Sequence, residues 1–181
     1  GELDLSLVIL TLSGTFAVQG LKNAFFRHYT VSDDPDERAA LLNSTFIYMI
    51  ASSALLYGTV YLLAGPLAAL IFSQSPERAA TFVRLVAAVG FFETASIVPL
   101  ESFRANMQPV PYVAILVVGF LVQTSANIYF VAVLGWGVRG VLVGYLLGAL
   151  VVATSATFMA RRRLRPIVAV GHLRELLAFG L

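Results

Sequence analysis

GWGVRGVLVGYLLGALVVATSATFMARRRLRP, residues 135–166, decides how the rest of the chain is read. From Val138 to Ala160 it is apolar or small, with Arg139 near one end as its sole charge. At ~1.5 Å of rise per residue, that stretch covers roughly the 30 Å of a bilayer's hydrocarbon. Arg161, Arg162, Arg163 and Arg165 then stop it, and such clusters stay on the cytoplasmic side. This span sets the solvent as lipid and fixes the orientation of every other crossing.

Gly137, Gly140, Gly144 and Gly148 recur at three- and four-residue spacings, which places them on one side of the helix. Small residues there let a second backbone come close, and helices in lipid associate through such contacts. Gly135, Gly137 and Gly140 also match the dinucleotide fingerprint G-x-G-x-x-G. That fingerprint needs a strand–turn–helix unit and an acidic residue about 20 positions on. Here the helix is membrane-length and Arg161–Arg163 occupy the acidic position, so the glycines read as a tight turn between two spans.

Composition agrees. Of 181 residues, 59% are hydrophobic and 12% charged, with a mean hydropathy of +0.85. A soluble domain is nearer one quarter charged, so the chain is all-α and polytopic in a membrane. The net charge of +2 is small and gathers at helix ends, which does not suit a nucleic-acid groove. Without cysteine there are no disulfides or thiolate metal sites, and no metal or cofactor is expected. The apolar start after Gly1 shows no signal peptide, and with the abrupt stop at Leu181 it predicts a piece of a longer protein.

Five spans are predicted in one bundle over residues 1–181: about 5–26, 43–72, 85–103, 112–134 and 138–160. In the first, Thr15, Gln19, Lys22, Asn23 and Arg27 share a broad arc. Either Lys22 and Arg27 snorkel to headgroups, or the arc lines a hydrated cavity. Gln19 and Asn23 gain nothing from lipid, which favours the cavity. In the polar loop that follows, Asp34, Pro35 and Glu37 form a helix-start signal. His28 and Asp33 match the H-x-x-x-x-D spacing of glycerolipid acyltransferases, but no further block of that family follows. Ser44, Tyr48 and Ser52 make a mild polar stripe suited to helix packing.

Ser75-Pro76-Glu77 restarts a helix that carries Glu93 at mid-membrane. An ionised carboxylate there costs at least ~2.5–3.5 kcal/mol, so it is either functional or held by a neighbouring helix. Ile97, Leu100, Glu101 and Arg104 share its face, with Pro99 among them, and Glu101 with Arg104 reads as an interfacial ion pair. The break at Met107-Gln108-Pro109-Val110-Pro111 leads to a span with Gln123 and Asn127 one turn apart. These amides read first as interhelical hydrogen bonds, with cavity lining as the alternative. Residues 171–181 read as an interfacial helix or the lead-in to a further span. Eight of the Lys and Arg positions fall on the Arg161 side against three opposite, which predicts an outside N-terminus and a cytoplasmic C-terminus.

GLKNAFFRHY at 20–29, ALLNST at 40–45, LAGPLAALIFSQSPERAATFVRLVAA at 63–88, the turn and helix from Leu134, and HLRELLAFGL at 172–181 together resemble a known pattern. They resemble helices two to six of the polysaccharide-biosynthesis, oligosaccharide-lipid flippases of the multidrug/oligosaccharidyl-lipid/polysaccharide (MOP) exporter superfamily. The resemblance implies most of an N-terminal lobe, facing a C-terminal lobe outside this sequence, around a cavity that opens alternately to either side. It also implies a non-enzymatic flippase in the cytoplasmic membrane whose substrate is a polyprenyl-diphosphate-linked glycan. Lys22 and Arg27, with Arg104 third and Gln19 and Asn23 beside them, would then meet the diphosphate. Glu93 would carry a coupling proton or cation. The alternatives are a cation-coupled drug antiporter of the same superfamily and a membrane-embedded enzyme or subunit of polysaccharide assembly.

Overall fold

The computed structural model describes residues 34–71 and 76–161, and all of its regular structure there is helical. Five helices follow in order: α1 (Pro35–Leu62), α2 (Ala64–Ile71), α3 (Pro76–Ala105), α4 (Pro109–Ile128) and α5 (Val138–Ala160). A π-helical turn, Tyr129–Val133, continues α4. Four stretches are long and apolar enough to cross a membrane: Arg38–Leu62, Glu77–Ala105, Pro109–Val133 and Val138–Ala160. The expected first span at 5–26 and the lead-in at 171–181 lie outside the described residues.

Local chemistry sets the boundaries. Asp34 caps α1, its Oδ1 accepting from the Asp36 N–H at 3.0 Å, and Pro35 takes the first turn, where a missing N–H does no harm. Prolines likewise open α3 and α4. α3 ends in a Schellman turn: Gln108 N–H bonds Phe103 O at 2.9 Å and Met107 N–H bonds Arg104 O at 3.1 Å. Met107 takes the left-handed position with φ 53°, where glycine is usual, and Pro109 prevents continuation.

The expected second span, 43–72, is corrected. Its helix stops at Leu62, and a separate short helix resumes at Ala64. The cause is Pro66, which has no N–H to offer the Leu62 carbonyl.

α3 is the mast of the bundle. It packs against α1, α2 and α5, and more sparingly against α4. Some 61% of its spanning window is buried, against 11% for the α4 span. Although only residues 106–108 separate α3 from α4, α4 leans mainly on α5, so the spans lie in the order α1, α3, α5, α4. One cluster joins Leu41, Leu42 and Met49 of α1 to Val98 of α3. Another joins Leu100 and Phe103 of α3 to Ile115 of α4 and Ala156 and Ala160 of α5. Pro99 sits fully buried between the residues of these two clusters.

The glycine face of α5 is present, with one member removed. Gly140, Gly144 and Gly148 are buried, facing Phe130, Asn127 and Gln123 in an antiparallel register. Gly119 of α4 answers from the other side against Val152. Gly137 does not pack: it is the exposed N-cap of α5 at φ 55° and, with Gly135 at φ 66°, makes the turn. The turn is closed by Trp136, whose ring stacks on Phe130 with centroids 4.9 Å apart and carries the Arg139 guanidinium 5.5 Å from its centre.

Candidate functional site

The glycine register brings α4 and α5 together where three helices meet, and beside that contact lies a cavity of about 250 Å³. Glu93, Ser96 and Leu100 enter it from α3, Leu116, Gly119, Phe120 and Gln123 from α4, and Tyr145, Gly148, Ala149 and Val152 from α5. Glu93, Gln123 and Tyr145 each lie within about one turn of the middle of their spans. A carboxylate, a carboxamide and a phenol thus converge where bare hydrocarbon would tolerate none of them. Ser96 turns its hydroxyl inward, donating to the Glu93 backbone carbonyl at 2.7 Å.

Among the described residues, Glu93 is exposed on α3 rather than covered by a neighbouring helix. The residues predicted to share its face diverge. Ile97 packs toward α1, whereas Leu100 lines the Glu93 cavity. Glu101, read as a weak interfacial partner, is nearly wholly buried: its side chain is 4% exposed, with its Oε2 3.5 Å from Arg104 Nη1. Glu93 and Glu101 therefore differ in setting on α3, the first facing a cavity and the second turned into the protein.

The amides of α4 also part company. Gln123 lines the cavity. Asn127 lies against Gly144, and its buried Oδ1 has no hydrogen-bond partner, so it is not the interhelical bond expected for it. The α3 glycine Gly90, unremarked in the sequence, receives the ring of Tyr57 from α1. Its only sequence signal was a glycine within an otherwise apolar helix.

Arg104 stands apart from Glu93. Eleven residues along α3 place it ~16 Å away, in a separate cavity of about 370 Å³ with Met107, Gln108, Pro109 and Tyr112. Lys22, Arg27, Gln19 and Asn23 lie outside the described residues. Among the described residues, no group of three His, Cys, Asp or Glu side chains gathers as a metal site.

The family model for polysaccharide biosynthesis protein matches residues 1–181. The chain belongs to the polysaccharide biosynthesis protein family. Neither a curated protein nor a solved structure matches it. Together with its four apolar helices, the family makes this polysaccharide biosynthesis protein a multi-pass membrane protein. Its cavities accordingly belong to a protein that works beside lipid and glycan precursors.

Proposed function

We propose that this chain is a lobe of a flippase that carries lipid-linked oligosaccharide or polysaccharide precursors across the cytoplasmic membrane by alternating access. The observation that carries the reading is the cavity at mid-depth between α3, α4 and α5, with Glu93, Gln123 and Tyr145 on its walls. Polar groups at that depth mark ion or substrate paths in membrane bundles. At about 250 Å³ the cavity is smaller than the pockets that enclose drug-sized ligands, so it suits a coupling ion rather than a glycan. Glu93 is assigned that coupling role, taking up a proton or cation on one side of the membrane and releasing it on the other.

The glycan then follows a larger path between this lobe and a second one, with Lys22 and Arg27 pairing its diphosphate and Gln19 and Asn23 adding hydrogen bonds. The N-terminus lies outside and the basic Arg161 end in the cytoplasm. The chain performs no covalent chemistry on the glycan.

The test is export of lipid-linked glycan by the full-length protein in cells. Lys22→Ala and Arg27→Ala are expected to lower export at unchanged membrane abundance. Glu93→Gln is expected to remove its dependence on the proton or sodium gradient. Unchanged export and an unchanged gradient profile would reject the reading.

A second reading has one observation in its favour. Tyr145 and Phe120 line the same cavity as Glu93, and aromatic faces with a carboxylate also suit an organic cation. A drug antiporter would show Glu93-dependent efflux of lipophilic cations and no effect of Lys22→Ala on glycan export.

A further inference from the structure

Between α1 and α3 lies a slot of about 290 Å³ that shares no residue with the Glu93 cavity. Tyr57, Gly58 and Tyr61 line it from α1, and Ala88, Phe91 and Phe92 from α3, with no charged residue on its walls. Each set recurs at three- and four-residue spacings, so the slot runs along the two helices. Gly58 leaves the space open: nothing lies within 4 Å of the methyl it lacks. The Phe91 and Phe92 rings meet edge to face with centroids 5.3 Å apart.

The two ends of the slot differ. At one end Phe92 adjoins Glu93, near the middle of the span. Toward the other stands Arg84, exposed, and on the same stripe of α3 as Ala88, Phe91 and Phe92. Nine residues along α3 from Glu93 put it ~14 Å from mid-depth. The hydrocarbon half-thickness is ~15 Å, so Arg84 stands where lipid phosphates begin. Its guanidinium carbon lies 5.9 Å from the centre of the Tyr61 ring, which lines the slot. An aromatic face attracts the cation but accepts none of its five N–H donors in the way an anion does. Among the described residues Arg84 makes no salt bridge, and Glu77, the nearest acidic residue on α3, stands two turns away.

We propose that the slot holds one acyl chain of an anionic bilayer phosphoglyceride, with the lipid's phosphate on Arg84. The match is made at both ends. A phosphate accepts charge-assisted hydrogen bonds from the guanidinium fork. The chain below it restores dispersion contacts that an empty slot forfeits, which counts where lipid removes the hydrophobic drive. The slot ends near mid-depth, as the chain of a single-leaflet lipid does. A polyprenyl tail is longer than one leaflet and has to leave the slot, so an ordinary phosphoglyceride fits better. The bound lipid fills the seam between α1 and α3 and does so whatever cargo the protein moves.

Native mass spectrometry of the full-length protein in detergent tests this with three probes at equal concentration: phosphatidylglycerol, diacylglycerol with the same chains, and undecaprenyl phosphate. The wild type should hold one more phosphatidylglycerol than Arg84→Ala or Gly58→Leu. Occupancy of that position should fall roughly fivefold or more in Arg84→Ala, as expected for a charge-assisted pair, with Arg84→Lys between. Diacylglycerol, which lacks the phosphate, should bind the wild type no better than Arg84→Ala. Gly58→Leu fills the slot while keeping Arg84, and leucine is the better helix former. It should therefore melt no lower than wild type in lipid-free detergent, and phosphatidylglycerol should raise the melting temperature of the wild type alone. Unchanged phosphatidylglycerol occupancy in both variants, or diacylglycerol held as well as phosphatidylglycerol, would overturn the proposal. So would a lower melting temperature for Gly58→Leu, which would mean that protein already fills the slot. Displacement of phosphatidylglycerol from the Arg84-dependent position by undecaprenyl phosphate would overturn the choice of lipid.

Discussion

A single methyl group separates two glycines that look alike in the sequence. At Gly148, an added Cβ would lie 2.7 Å from the Gln123 Cβ and 3.2 Å from the Gly119 carbonyl oxygen. Neither neighbour is the free end of a flexible side chain, so α4 must move away from α5. Overpacking of this kind costs about 1–3 kcal/mol. At Gly58 in α1, nothing lies within 4 Å of the same methyl. There alanine's helix propensity operates unopposed and favours the folded state by up to about 1 kcal/mol. For a domain of this size each kcal/mol shifts the melting temperature by roughly 2–4 °C. Gly148→Ala should therefore melt several degrees below wild type in detergent, and Gly58→Ala at or slightly above it. Identical melting of the two variants would refute the close-approach account of the α4–α5 contact.

Three further outcomes are expected. Gly90→Ala should destabilise by about 1–3 kcal/mol, because its methyl meets the Tyr57 ring. Combined with Tyr57→Ala the two losses should be less than additive in a double-mutant cycle, and strict additivity would place the strain elsewhere. Asp34→Ala removes the side-chain acceptor of the α1 cap, and urea or thermal unfolding should show a loss of about 0.5–2 kcal/mol. Glu93→Gln keeps the shape of the cavity wall, so melting should stay near wild type while the gradient dependence of export changes; a large fall in melting temperature would make Glu93 a structural residue.

Much of this architecture was legible in the residues. Span length, the Asp34-Pro35 cap, the prolines at 76 and 109, and the spacing of Gly140, Gly144 and Gly148 are local signals that the tertiary structure does not override. The break after Leu62 was also readable, since Gly65 and Pro66 stand at its edge, but the unbroken hydropathy of that stretch concealed it. Other features had no local signal. Helical spacing puts Glu93, Ile97 and Glu101 on one stripe, yet that stripe lies between two packed clusters, and only the placement of α1 and α5 determines which carboxyl is covered. The separation of Gln123 from Asn127 depends in the same way on where the α5 backbone passes. The π turn carries no composition of its own.

That turn has a consequence for the far end of the hairpin. Between Tyr129 and Val133 the chain holds one residue more than an α-helical pitch would use, with Leu134 N–H reaching back to Tyr129 O at 3.1 Å. The surplus residue uncouples the azimuth of the Trp136–Arg139 corner from the phase of the helix beneath it. Excising one residue there would restore ordinary winding and swing that corner by about 100°, leaving the seam at Gln123 and Gly148 in phase.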